Sequence, residues 1–319
     1  MRHADLFAHH FTPIRQGQVF GISLLAGLSL LALTTAGFAA SGPVKAVGVE
    51  NEYADVIAQI GGKYVHVTSI MNDPNTDPHT FEASPKIARQ IAEAEFVVEN
   101  GIGYDDWADK IMASAANAKR KVINVQHLLG LPDSTPNPHL WFDPKTMPAV
   151  AKAVAAELSS LRPNHAKYFK ENAKKFENSL KPWYAAIAAF KKKHPATPVA
   201  VTEPVADYLL QALGADIKTP STLETAVMND KDPSPQDIST QKKLLESGAV
   251  KVFVYNQQVT DNLTTSFLES AKKGKVPVVG VYETMPTPGF TYQSWMLAET
   301  RALDKAVTSG TSTEKLVAK

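Results

Sequence analysis

Val199-Ala200-Val201-Thr202-Glu203-Pro204 is the stretch on which the reading of the fold turns. Three of its first four side chains are β-branched, as in a buried strand. A carboxylate follows directly, and Pro204 then supplies the fixed φ of a helix opening. Strand, polar strand end, helix: parallel α/β sheets are built by repeating that unit.

Working outward, residues 250–255 and 276–282 repeat the short apolar pattern in the second half of the chain, and 44–49, 66–70, 96–98 and 122–125 repeat it in the first. Amphipathic segments with good start signals lie between them. Ser84-Pro85 opens one, with Ile87 and Ile91 a turn apart. Asp143-Pro144 opens another, whose Met147, Val150, Val154, Leu158 and Leu161 form one apolar stripe. Ser234-Pro235 opens a third, with Asp237 completing a capping box and Gly248 at the C-terminal cap. The expected architecture is two α/β lobes, each with a mostly parallel sheet flanked by helices. Residues 40–162 form the first lobe and 195–319 the second. Between them, 163–194 is polar, Lys-rich and free of glycine. As one helix it would be about 48 Å long and bridge the lobes stiffly; Pro182 should kink or break it near Lys181. Two separate helices, one belonging to the second lobe, are the alternative. There is no internal sequence repeat, and the polar tail after Leu303 is expected to fray.

Residues 1–39 read as a secretory signal peptide. Arg2 and Arg15 precede an apolar run from Val19 to Leu33, and Gly37-Phe38-Ala39 supplies small residues for cleavage. The run is too short for a membrane span and no second one follows; a retained N-terminal anchor is the alternative. The chain has no cysteine, which excludes disulfides, thiolate ligands, a Cys nucleophile and a lipid on an N-terminal Cys. An exported protein without a lipid is best retained in a periplasm. Removing Arg2, Arg15 and Asp5 with the signal balances totals of 33 basic and 32 acidic residues. A balanced charge argues against nucleic acid or an anionic membrane as partner.

Four polar residues fall at equivalent places on this map. His79 follows the strand ending near Ile70, and His139 follows the one ending near Val125. Glu203 and Glu283 come directly after the strands at 199–202 and 276–282. Ligands of open α/β sheets bind outside the carboxyl ends of the strands, so two groups from each lobe meet in a cleft between them. Imidazole and carboxylate hold divalent first-row metals when thiolate is absent. A proline before each His stiffens its loop. No paired-His motif of the protease type is present. Taken singly, a loop His is usually solvated and a Glu at a helix start often serves the helix dipole. His66 lies within a strand, and His165 and His194 flank the basic linker. His127 is the reserve ligand.

These residues also carry a resemblance. The stretches 77–85 (DPHTFEASP), 100–107 (NGIGYDDW), 137–144 (NPHLWFDP), 202–209 (TEPVADYL) and 232–237 (DPSPQD) are similar to those of the metal-binding receptors of zinc and manganese ABC importers. The likeness runs from Val44 to about Leu303. It implies two lobes joined by a helix, small hinge motion and one metal between the lobes. In that family the first two ligands are His, at the positions of His79 and His139. The third is His or Glu, here Glu203. The fourth is usually Asp; the matching place reads Val281-Tyr282-Glu283-Thr284, which leaves Glu283, Asp230 or a water for that role. The His-rich loop of many zinc receptors is absent, since 128–136 is short and holds no His.

The expected function is therefore capture, not catalysis: a monomer that takes one divalent metal, Zn²⁺ or Mn²⁺ with Fe²⁺ admissible, and passes it to the membrane permease of an ABC importer. A metal-dependent hydrolase with Glu283 as base, and a metal-stabilised adhesin with no transport role, are the competing readings.

Overall fold

A computed structural model describes residues 42–286 and 288–317; the segment read as a signal peptide lies outside them. Among the described residues, eight strands form two sheets. The first contains β1 (Val44–Glu50), β2 (Val65–Met71), β3 (Phe96–Glu99) and β4 (Lys121–Asn124). The second contains β5 (Pro198–Val201), β6 (Asp216–Ile217), β7 (Val252–Asn256) and β8 (Val278–Val281). The orders are β2-β1-β3-β4 and β6-β5-β7-β8, and every pairing is parallel. Both lobes thus share one topology although their sequences show no repeat. In each, the chain turns back at the second strand of the order, which puts the switch point between β1 and β3 and between β5 and β7.

Seven of the eight strands coincide with the apolar runs. The exception, β6, has two residues and no apolar run to announce it. Alternation along the strands divides the core. Ala46, Phe96, Val98, Val199, Val201, Val252, Val254, Val279 and Val281 face one continuous apolar cluster shared by both lobes. Val47, Val49 and Val97 face a separate cluster outside the first sheet; Ala200, Phe253 and Tyr255 face another outside the second. Trp141, Trp183 and Trp295 are fully buried in the shared cluster, where truncation to alanine costs about 3–5 kcal/mol apiece. A packed interior common to both lobes resists large rearrangement.

Most start signals work as read. Ser84 accepts a hydrogen bond from the Ile87 N–H and opens the helix Pro85–Glu93. Ser234 accepts one from Asp237 and opens Pro235–Glu246, and Gly248 beyond its end takes φ 66°. Asp143-Pro144 forms a turn instead, and that helix runs Thr146–Leu161. Pro204 likewise begins a turn before the helix Asp207–Ala212. The polar stretch between the sheets forms two helices, Ala166–Ser179 and Lys181–Lys193, meeting at Leu180. Pro182 sits in the first turn of the second, where its missing N–H leaves the ladder interrupted. The first of the pair packs on Thr146–Leu161 and Asn51–Gly61, the second on Tyr292–Ser309.

The tail does not fray at Leu303. Tyr292–Ser309 is one helix closed by Gly310 in the left-handed region. Beyond it Thr313 bonds to the edge of β8, accepting from the Gly280 N–H at 2.9 Å and donating to the Val278 carbonyl at 2.8 Å. Leu316 then packs on the shared core, so the tail covers a sheet edge.

Candidate metal centre

The two His loops are built alike. Asp77-Pro78-His79 and Asn137-Pro138-His139 each turn so that the first side chain accepts the backbone N–H of the His, at 2.8 and 3.0 Å. An Asp or Asn that bonds two residues ahead stabilises such a turn, and the proline between them narrows the alternatives. His139 is fully buried and His79 is half-buried, with 18% of its side chain exposed.

From the other lobe, Glu203 and Glu283 arrive just beyond the carboxyl ends of β5 and β8, both buried. Glu283 stands between the rings. Its Oε2 lies 3.1 Å from His139 Nε2 and 3.4 Å from His79 Nε2, and the rings meet edge to face with centroids 6.4 Å apart. Among the described residues, His79, His139 and Glu283 form the one group whose candidate ligand atoms all lie within 4.8 Å of one another. Glu203 stands farther out, with Oε2 3.9 Å from His79 Nε2 and neither oxygen hydrogen-bonded among the described residues. Of the other candidates, Asp230, His127 and His66 are exposed. His165 stacks on Tyr64 and His194 pairs with Asp304.

Three residues that the strand-end reasoning did not single out complete the surroundings. Tyr104 donates its hydroxyl to Glu283 Oε2 at 2.9 Å, and Asn256 donates Nδ2 to Glu283 Oε1 at 2.6 Å. Gln258 accepts the Glu283 and Thr284 N–H groups at 2.7 and 2.8 Å and donates across the cleft to the Thr76 carbonyl at 2.7 Å. Asn256 ends β7 beside Glu203, a place that the strand-end rule could have flagged. Tyr104 lies within the 100–107 motif. Gln258 carries no sequence signal of its own.

The electrostatics follow from this packing. For Glu283, burial favours the neutral form, but the hydrogen bonds and charges of His139 and His79 outweigh it and hold the carboxyl well below its ordinary range. For His79, burial opposes the charge, yet Glu283, Glu203 and Asp77 together raise it to about 9. Glu203 is pushed up to about 8 by burial and by repulsion from Glu283. Without metal, protons therefore occupy positions that a cation can take over.

Residues 50–306 match the family model described as zinc-uptake complex component A, periplasmic, and the chain belongs to that family. Among curated relatives, the manganese-binding lipoprotein MntA of Bacillus subtilis is 25% identical over 84% of this chain and 89% of its own length. The zinc-binding protein TroA of Treponema pallidum is 26% identical over 59% of this chain and 63% of its own. Among solved structures, periplasmic zinc-binding TroA superposes with TM-score 0.70 at 19% identity, covering 85% of this chain and 99% of that one. Pseudomonas aeruginosa FpvC in complex with Mn²⁺ superposes with TM-score 0.68 at 21% identity, covering 84% and 99%. These likenesses extend the two-lobed fold over nearly the whole described chain.

Proposed function

We propose that the protein captures one divalent transition metal, Zn²⁺ or Mn²⁺, in the periplasm and delivers it to the permease of an ABC importer. The observation that carries this reading is the position of Glu283: a buried carboxylate from the second lobe lying against two imidazoles of the first. Two carboxylates and two neutral imidazoles carry a charge of −2, which one divalent ion neutralises, and a buried site demands that balance. His79, His139 and Glu283 would be the inner ligands, with the buried Glu203 joining them from its unbonded position beside His79. Drawing ligands from both lobes makes retention depend on closure, so an importer that parts the lobes releases the ion.

Capture fits better than catalysis because a hydrolytic metal keeps a coordination position open to water with a base beside it. Here the carboxylate that would serve as base lies between the two His rings. The absence of cysteine supports a released periplasmic form without a lipid on an N-terminal Cys. Neither ligand type separates Zn²⁺ from Mn²⁺: carboxylates favour the harder ion, whereas the general affinity order favours Zn²⁺.

Uptake of Zn²⁺ and Mn²⁺ at limiting concentration, in native cells with and without the gene, tests the proposal. Loss of uptake of one ion, restored by the wild-type gene and not by His139→Ala, is the expected result. Unchanged uptake of both would refute a transport role.

A further inference from the structure

Asn137 is buried, and both the oxygen and the nitrogen of its side-chain amide are hydrogen-bonded. Its Oδ1 accepts the backbone N–H of His139 at 3.0 Å and meets His139 Nδ1 at 2.8 Å. Its Nδ2 donates to the carbonyl of Pro204 at 2.7 Å, and Pro204 is the residue joined to Glu203. Its own carbonyl accepts the Tyr208 hydroxyl at 2.9 Å. The amide can be oriented only one way. A backbone N–H needs the oxygen on one side and a carbonyl needs the NH₂ on the other. An amide oxygen can only accept, so His139 must carry its proton on Nδ1. Nε2 then faces Glu283 Oε2 at 3.1 Å: it donates to the carboxylate when the ring is doubly protonated, and in the neutral ring it is the lone-pair nitrogen open to a cation.

We infer that Asn137 is an interlobe positioning residue: one side chain sets the tautomer of His139 in the first lobe and anchors the backbone beside Glu203 in the second. The inference rests on the metal site proposed above. His79 has no equivalent support, since Asp77 in the same kind of tripeptide bonds the backbone N–H and, among the described residues, not the ring. The two histidines are therefore unequal. His139 is held from both lobes: its loop is also fixed within the first, where Asn100 donates to the Pro138 carbonyl at 2.8 Å and accepts the Tyr53 hydroxyl at 2.7 Å. Parting the lobes must break the bond from Asn137 to Pro204, so the side chain that orients the ligand also senses closure. A partner that orients a ligating His commonly contributes 10–100-fold to affinity.

The test compares wild type, Asn137→Ala and Asn137→Asp. Nitrogen-15 NMR of the histidines in metal-free protein at alkaline pH reads the tautomer. Chelator-triggered release of Zn²⁺ reads retention. Wild type should show His139 as a single Nδ1–H form. Asn137→Asp keeps the acceptor and loses the donor, so it should keep that form yet release Zn²⁺ faster than wild type. Asn137→Ala should lose the single form and bind Zn²⁺ about 10–100-fold more weakly. A folded Asn137→Ala with an unchanged tautomer and wild-type affinity overturns the inference. If that variant does not fold, Asn137→Asp decides: loss of the Nδ1–H form, or release at the wild-type rate, also overturns it. A wild-type protein that binds neither Zn²⁺ nor Mn²⁺ would sink the metal-site reading instead, and the tautomer measurement, made without metal, tells the two failures apart.

Discussion

Glu283 Oε2 lies 3.1 Å from His139 Nε2, a carboxylate of one lobe against an imidazole of the other, with both side chains fully buried. Two sheets of identical strand order point their carboxyl ends at this contact, and Tyr104 and Asn256 hold the carboxylate in place by its two oxygens. Its centrality orders the proposed ligands.

Glu283→Gln should weaken metal binding by more than about 100-fold, against about tenfold for Glu203→Gln. This is the range expected for charge-assisted contacts worth about 1.5–3 kcal/mol. Calorimetric titration of both variants with Zn²⁺ and Mn²⁺ checks the ranking, and equal losses would remove Glu283 from the centre.

His79→Ala and His139→Ala should each abolish tight binding, whereas His127→Ala should leave it intact. His127 is exposed in the short helix Val125–Leu128 beyond β4 and lies outside the group formed by His79, His139 and Glu283. If His127→Ala behaves like the other two, the ligand set is wrong.

Binding should strengthen as pH rises, in a higher window than free imidazole would set. His79 is raised to about 9 and Glu203 to about 8, and both must lose a proton before they can ligate. Each proton displaced steepens the dependence by about one log unit in affinity per pH unit. Affinity should therefore climb between about pH 6 and 9 and level off above, with proton release visible as a buffer-dependent heat. An affinity flat across that window would contradict the site.

Folding stability should show the opposite slope at one buried carboxyl. Glu299 accepts from Trp295 Nε1 at 3.1 Å, but burial pushes it up to about 8 from an unfolded value near 4.5. A raised carboxyl contributes stability that is fully present below the unfolded pKa and lost as pH rises through the folded one. Glu299→Gln keeps the acceptor and removes the charge. It should raise Tm at pH 8–9, by an amount on the order of a few kcal/mol in stability, and change little at pH 4–5. A gain that does not grow with pH would rule out this account of Glu299.

The lobes and the strand ends were legible because short β-branched runs ending in a polar residue have few other uses. Residues 199–204 placed β5 and Glu203 together. The pair β5–β6 was not legible, because a two-residue strand exists only through its neighbour. Nor was the ranking of Glu203 and Glu283, which follow their strands alike in sequence. Which of them reaches both His rings depends on how the lobes are set against each other, through a shared core that involves both sheets and the helices between them. The same is true of Asn137, Asn256 and Gln258, amides whose partners lie across the chain. Read singly, 163–194 left one helix or two open; the break at Leu180 follows from Pro182.

The most direct measurement is anomalous diffraction, at the Zn and Mn absorption edges, from crystals of protein purified from its native periplasm without added metal. The account predicts a single anomalous peak within bonding distance of His79, His139 and Glu283, with Glu203 the nearest further carboxylate or a fourth ligand. A fully folded protein with no ion there, or with its ion bound elsewhere on the surface, would contradict it.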